Sequence, residues 1–103
     1  MIVDIKIYNG DKEVFGRKDM DYDTSLGWLL EKQEKGKEID EISIQVYTVE
    51  EMPVDSFIGS DWNEARQFIK DVANNAKTGK YKGIRYETNS TKIEETNSQQ
   101  SLL

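Results

Sequence analysis

The first hydrophobic pattern of the chain is a strict alternation over residues 2–8. Its apolar members share β-branched side chains: Val3, Ile5 and Ile7. Charged residues stand between them, which is the two-residue period of a strand that buries one face. Asn9-Gly10 follows, and both residues accept the positive φ angles of a tight hairpin turn. The sequence therefore predicts a hairpin whose return strand covers about residues 12–18.

A helical spacing marks residues 60–79. Apolar side chains recur there every three or four positions, at Trp62, Ala65, Ile69, Val72, Ala73 and Ala76, with Phe68 widening the stripe. Polar and cationic residues occupy the opposite side, as in an amphipathic helix that packs on a core. Ser60 or Asp61 is expected to cap this helix, and Gly79 is expected to end it in a left-handed conformation.

A shorter helix is predicted up to about residue 36. Its apolar stripe consists of Leu26, Leu29, Leu30 and Gln33. Asp23 or Thr24 is expected as its cap, and Gly36 as its end. Gly27 lowers its intrinsic stability by up to about 1 kcal/mol relative to Ala, so packing must hold it in place.

The remaining segments supply strands. Residues 42–49 alternate as a third strand. Pro53 disfavours a central strand, so residues 50–59 are expected to form a loop that holds at most a short edge strand around residues 56–58. A last strand is predicted over residues 81–88.

The predicted order of elements is ββαβαβ. We expect an α+β fold in which an antiparallel or mixed sheet of about four strands carries both helices on one face. Residues 1–88 would form this single domain. Residues 89–103 have too little apolar surface to offset the entropy of ordering, and we expect a flexible polar tail.

The formal net charge of −6 is unevenly placed along the 103 residues. Residues 1–76 hold 9 Lys and Arg against 17 Asp and Glu, whereas residues 77–103 hold 5 against 3. A body of net charge −8 argues against a broad phosphate-binding surface and favours either simple solubility or a basic partner. No apolar run approaches the ~20 residues of a membrane span, and the chain has no cysteine. The start of the chain lacks a secretory pattern, so we expect a cytoplasmic protein without a membrane partner.

The residue inventory limits the chemistry. The chain has no His and no Cys, which removes the usual neutral-pH base, the thiolate nucleophile and zinc sites built on nitrogen and sulfur. Paired carboxylates and a desolvated Lys remain available, but each needs a pocket, and a small two-layer domain has little volume for one. We therefore expect no enzymatic activity and no cofactor.

An acidic segment precedes the first predicted helix and contains Asp19, Asp21 and Asp23. The spacing imitates the start of an EF-hand loop, but the required Gly and Glu are replaced by Thr24 and Leu30. Three interpretations remain: a hydrated helix-capping loop, a weak divalent-ion site, or an acidic docking patch for a partner.

A basic cluster near the C-terminus consists of Lys77, Lys80, Lys82 and Arg85. Tyr81 and Tyr86 are interleaved with it, and cations beside aromatic rings can hold a nucleic-acid strand by phosphate contact and stacking. The helix dipole also accounts for cations at the end of a helix without any ligand. A small nucleic-acid-binding module that uses this cluster is the alternative function.

Four aromatic residues fall outside the predicted core faces: Tyr22, Trp28, Tyr47 and Tyr81. Aromatics among acidic residues mark protein interfaces, whereas half-buried rim residues are common in small domains. Both interpretations stay open on the sequence alone.

This short acidic chain, with a hairpin-first α+β layout and neither His nor Cys, resembles small inhibitor proteins of phages and mobile elements, such as anti-CRISPR and anti-restriction proteins. The resemblance implies a non-enzymatic protein that occupies a basic surface of a larger, nucleic-acid-handling protein. The acids that it would use are Asp19, Asp21, Asp23, Glu50, Glu51 and Asp55. The basic residues over 77–85 would make any imitation of DNA one-sided. A second copy of the chain is a further candidate partner, joined at strand edges near residues 53–58.

Overall fold

Two hairpins, each followed by a helix, make up residues 1–77, the part of the chain that this computed structural model describes. The elements are β1 (Ile2–Asn9), β2 (Lys12–Met20), α1 (Tyr22–Glu34), β3 (Glu41–Tyr47), β4 (Pro53–Gly59) and α2 (Trp62–Lys77). Neighbouring strands are antiparallel, in the order β2-β1-β3-β4. The predicted α+β class, with a four-stranded antiparallel sheet and two helices, is confirmed.

The order of elements differs from the predicted ββαβαβ. The described residues read ββαββα, because the segment after the third strand forms a full edge strand, β4, rather than a loop or the short edge strand expected around residues 56–58. Pro53 is compatible with this strand because it is the first residue of β4 and β4 lies at the edge of the sheet. The strand predicted over residues 81–88, the helix stop at Gly79 and the tail from residue 89 lie outside the described residues.

The alternation of β1 and β3 places one face of the sheet in the core. Six aliphatic side chains there each expose at most 1% of their surface: Val3, Ile5, Ile7, Ile42, Ile44 and Val46. Burying a side chain of this size contributes about 1.5–3 kcal/mol. Helix α1 covers β1 and β2, helix α2 covers β3 and β4, and the two helices contact each other. Both helices therefore lie on the same face, and the opposite face of the sheet is left without a helix among residues 1–77.

Helix α2 buries the stripe that its spacing predicts. Its fully buried positions are Ala65, Ile69, Val72, Ala73 and Ala76. The half-buried Phe68 ring lies 5.5 Å from the ring of Phe57 on β4, measured between centroids. Asp61 is the cap, since its Oδ1 accepts a hydrogen bond from the amide three residues later at 2.9 Å.

The buried face of α1 corrects the predicted stripe. Trp28 and Leu29 are buried, whereas Leu30 is 47% exposed. Trp28 packs edge-on against Phe15 of β2, with 6.5 Å between the ring centroids, and Lys32 Nζ lies 5.5 Å from both centroids. The helix turns its largest apolar side chain toward this ring because burying an indole removes more apolar surface from water than burying Leu30 would. The expectation that Trp28 is a surface residue was wrong.

Helix α1 has the expected kinds of residue at its two ends, but it begins earlier in the sequence than predicted. Asp21 is the cap, rather than Asp23 or Thr24, and its Oδ1 accepts the Thr24 amide at 2.8 Å. Gly36, with φ +69°, follows the helix as predicted. The first hairpin turns at residues 10–11, because Asn9 still pairs with the far strand and Gly10 alone has a positive φ there.

Candidate functional site

One end of the sheet brings two separate acidic segments together. In this antiparallel arrangement β1 and β4 begin at that end, and β2 and β3 finish there. Asp19, near the end of β2, and Glu51, in the β3–β4 turn, therefore lie near the first residues of β1. Together with Asp4 of β1 they line one shallow depression of about 310 Å³, whose other walls are Ile2, Lys18 and Tyr47. We call Asp4, Asp19 and Glu51 the acidic end.

A β-bulge in the pairing of β1 with β2 positions two residues of the acidic end, Asp4 and Asp19. The pairing shifts between Val3 and Ile5, which face Met20 and Arg17, so β2 has an extra residue at this point. Asp19 absorbs the extra length in a left-handed conformation, with φ 61°. Its amide then donates to Asp4 Oδ1 at 2.9 Å. Asp tolerates this backbone better than most residues, and the bond fixes the two acids relative to each other.

The tight turn between β3 and β4 positions the third residue of the acidic end, Glu51. The backbone of Thr48 pairs with Met52, and the Glu51 amide donates to the Thr48 carbonyl, each at 2.9 Å. The buried Thr48 hydroxyl accepts the amides of Glu50 at 3.2 Å and Met52 at 3.1 Å. Glu51 is the last residue of this three-residue loop and has φ 69°. Gly is the usual residue at that position of such a loop, so Glu51 is unusual there.

Two of the predicted acids have a structural place beside the acidic end. Hydrogen bonds from the Thr24 amide and side chain hold the pKa of Asp21 below its usual value, and the amino terminus and Arg17 add to the effect. Asp21 thus acts as a helix cap, the first of the interpretations of this segment. Asp23 is exposed in the first turn of α1.

Glu50 and Asp55 are not brought into the depression. Glu50 is exposed in the β3–β4 turn, next to Glu51. Asp55 faces Val46 across the sheet and so lies on the face that carries the helices. Its Oδ1 accepts the Ser56 amide at 2.8 Å, and its carbonyl accepts the Gln45 side chain at 3.0 Å. The structure therefore separates Asp55 from the other acids predicted to bind a partner.

Apolar and aromatic side chains border the acidic end. Tyr47 and Ile2 are directly paired across β3 and β1, and both are half-buried. Met52, immediately after Glu51, is 61% exposed, but it pairs with the buried Thr48 and is not among the residues that line the depression. Sequence reasoning noted Tyr47 as an exposed aromatic but missed Asp4, because Asp4 looks like any outward residue of an alternating strand. Only the pairing of β1 with both neighbours places it between the two acidic segments.

A second depression, of about 260 Å³, continues from the first across the uncovered face of the sheet. It shares Asp4, Lys18 and Tyr47 with the first depression and adds Lys6, Ser43 and Gln45. Of the two depressions, the first is therefore the more negative, and the second is of mixed charge.

The described residues also bear on a metal site and on a membrane span. Among residues 1–77 there is no group of three carboxylates suited to a metal ion. Over the same residues, neither helix has the length and hydrophobicity to cross a membrane. Lys77 is the exposed last residue of α2, whereas Lys80, Lys82 and Arg85 lie outside the described part of the chain.

Comparison of the chain with protein-family models, with curated proteins and with solved structures returns no match. The functional argument therefore depends on the geometry and charge of the site.

Proposed function

We propose that this chain is a non-enzymatic binding protein whose acidic end occupies a basic surface on a larger protein. The observation that supports this most directly is the convergence of Asp4, Asp19 and Glu51, from three separate segments, on one depression. Carboxylates placed this way match the guanidinium and ammonium groups of a basic partner, with which charge-assisted hydrogen bonds are the strong kind.

The backbone at two of these acids supports the proposal. Asp19 and Glu51 have φ angles of 61° and 69°, a conformation that disfavours residues with a Cβ atom. A side chain kept at a position where the backbone favours Gly is a reason to look for a role of that side chain. At Glu51 this role would be its charge.

The surroundings suit a protein partner better than a small molecule. The depression is shallow and open, whereas small-molecule sites enclose most of their ligand. Tyr47 and Ile2 add apolar and aromatic area to its lining, as the central parts of protein interfaces do. The net charge of −8 over residues 1–76 would speed the encounter with a basic partner.

The class of partner that we propose is a nucleic-acid-handling protein. Such proteins present Lys and Arg surfaces that neutralise phosphates, and a set of carboxylates gathered at one site can compete for the same groups. The narrowest form of the proposal is an anti-defence factor of the anti-CRISPR type, which blocks such a surface.

The decisive experiment compares two double variants with the same composition and net charge. Asp19→Asn with Glu51→Gln neutralises the acidic end with minimal change of shape. Asp11→Asn with Glu38→Gln neutralises two exposed acids at the other end of the sheet, in the β1–β2 turn and before β3. A partner is first captured with the wild-type chain and purified, and its Kd for each variant is then measured by calorimetry at 50–500 mM NaCl.

We expect the acidic-end variant to bind about tenfold or more weakly, a change of ~1.4 kcal/mol, and the control variant to bind as the wild type does. The wild-type Kd should rise with salt because the screening length falls from about 10 Å at 0.1 M to about 3 Å at 1 M. An equal loss of affinity in both variants would mean that net charge, and not the position of the acids, determines binding. Affinity that is insensitive to both salt and Asp19→Asn/Glu51→Gln would refute the proposal.

A further inference from the structure

The two outer strands of the sheet differ in how well their edges are protected. Among residues 1–77, β2 and β4 each have a strand neighbour on one side only. Five of the nine residues of β2 are charged and its pairing with β1 shifts twice, and both features discourage further strand pairing. In β4 one residue of seven is charged, and after a single shift near its start the run 55–59 pairs regularly with β3. The edge of β4 is therefore the less protected one.

The backbone of β4 presents hydrogen-bonding groups at this edge. The Ser56 amide donates to Oδ1 of Asp55 at 2.8 Å, so it points away from β3. The Asp55 carbonyl points toward β3, because it accepts the side chain of Gln45 at 3.0 Å. Backbone groups along an antiparallel strand face its two sides alternately, so the amides and carbonyls of both Ser56 and Ile58 face outward. A further strand can form a ladder with them.

Apolar side chains flank the same edge on both faces of the sheet. Ile58 is 72% exposed, and its pairing with Ser43 places it on the face without helices. Phe57 lies on the helix face, where its half-buried ring is 5.5 Å from the ring of Phe68 on α2. A strand that brings apolar side chains of its own would shield both faces of this edge from water.

We propose that a second copy of the chain occupies this edge, through antiparallel pairing of the two β4 strands about a two-fold axis at Phe57. In this register Ser56 of each copy pairs with Ile58 of the other, and the two Phe57 residues face each other. Asp55, the one charged residue of β4, lies opposite Gly59, so no like charges meet. The contact is self-complementary, as a two-fold axis requires, because each copy supplies the same donors, acceptors and apolar side chains. The product is one continuous sheet with all helices on the same face.

Charge favours this occupant at this edge. Each chain carries a formal net charge of −6, so two copies repel each other over much of their surface. The edge of β4, with its single acid, is a place where two acidic copies can meet, and it has too little charge to attract a strongly basic peptide. Pairing of β4 with β2 of another copy would build an open filament, and the charges of β2 oppose it. We therefore expect a closed dimer.

The dimer and the proposed function are separable. Asp4, Asp19 and Glu51 all lie outside the paired run 55–59, so each protomer keeps its own acidic end. The dimer can be absent while a basic partner still binds, and the reverse.

The first test is sedimentation equilibrium of the full chain from about 10 μM to about 1 mM, which detects a Kd in the millimolar range or below. Ile58→Lys places a charge in the paired run at a side chain that is already exposed, so the fold should tolerate it. Met52→Lys is the matched control, because Met52 is 61% exposed and precedes β4. We expect Met52→Lys to dimerise as the wild type does and Ile58→Lys to dimerise about tenfold or more weakly. A monomeric wild type, equal weakening in both variants, or an unchanged Ile58→Lys would overturn the proposal.

The second test is disulfide cross-linking, which is clean because the chain has no cysteine of its own. Ser56→Cys and Ile58→Cys chains are oxidised separately and as an equal mixture in glutathione buffer, and circular dichroism checks that both variants are folded. The register predicts that the mixed dimer is several-fold more abundant in the mixture than either symmetric dimer. Mixed dimer at no more than the level of random coupling would overturn the proposed pairing.

Discussion

Replacing Glu51 with Gly should stabilise the fold while it weakens binding. Glu51 closes the three-residue β3–β4 loop with φ 69°, where Gly is the residue that the backbone favours. The adjacent Glu50 has the same side chain, is exposed in the same loop and does not have a positive φ. Glu50→Gly is therefore a matched control, because it removes the same charge and adds the same flexibility without relieving the backbone.

The expected change in the free energy of unfolding is the difference between two opposing effects. A left-handed conformation costs a residue with a Cβ atom roughly 1–2 kcal/mol, which Glu51→Gly removes. The greater freedom of Gly in the unfolded chain costs about 0.4–1 kcal/mol in both variants. We expect Glu51→Gly to gain about 0.5–1 kcal/mol and Glu50→Gly to lose about 0.4–1 kcal/mol. For a domain of this size, 1 kcal/mol moves Tm by about 4–8 °C.

The assay is thermal and urea unfolding of the wild type and both variants in one buffer, followed by the calorimetric binding measurement. Glu51→Gly should melt a few degrees above the wild type, and Glu50→Gly below it. Binding should weaken in Glu51→Gly, because a carboxylate of the acidic end is lost. A Glu51→Gly protein that melts at or below Glu50→Gly would refute the argument from backbone strain.

Three further predictions concern other parts of the molecule. Thr48→Val keeps the shape of the side chain but leaves the amides of Glu50 and Met52 without their acceptor, so urea unfolding should show a loss of about 1–3 kcal/mol, with Thr48→Ser near the wild type. Hydrogen bonds lower the pKa of the Asp21 carboxylate in the folded state. As the pH falls, Asp21 is therefore protonated in the unfolded chain before it is protonated in the folded protein. The stabilisation that this carboxylate provides is lost as the pH falls below about 4. Asp21→Asn should flatten this acid dependence when unfolding is measured from pH 3 to 7, and an unchanged slope would contradict it. For the basic cluster over 77–85, a gel shift at low salt tests the alternative function, and a lack of retained oligonucleotide in the wild type would remove it.

Local signals in the sequence were sufficient for much of the fold. The period of α2, its cap at Asp61 and a tight turn with Gly10 at positive φ depend on neighbouring residues. The structure has all three, although the turn is at residues 10–11 rather than at Asn9-Gly10. The face of α1 was mispredicted because Trp28 and Leu30 compete for the core. The contact between Trp28 and Phe15, which lies on strand β2, favours burial of Trp28 over Leu30. Helical spacing alone carries no information about such a partner.

The acidic end needed information that no local pattern holds. Asp19 and Glu51 were proposed as binding residues because they are acidic, but their proximity depends on strand order and register. Asp4 was missed for the same reason. Asp55 was grouped with them because it is acidic too, and the pairing with Val46 places it on the face that carries the helices.

The distinction between structural and functional acids follows from what each carboxylate contacts. At the other end of the sheet, Asp40 accepts the Gly10 amide at 2.9 Å and Asp61 caps α2, so both acids are explained by the fold. Asp21 is explained in the same way by its cap. Glu51 differs because its backbone conformation works against the fold, and a neutral Gly would serve the turn better. Because Gly would make this turn more stable, the fold does not explain the carboxylate of Glu51, and contact with a basic partner is the role that we propose for it.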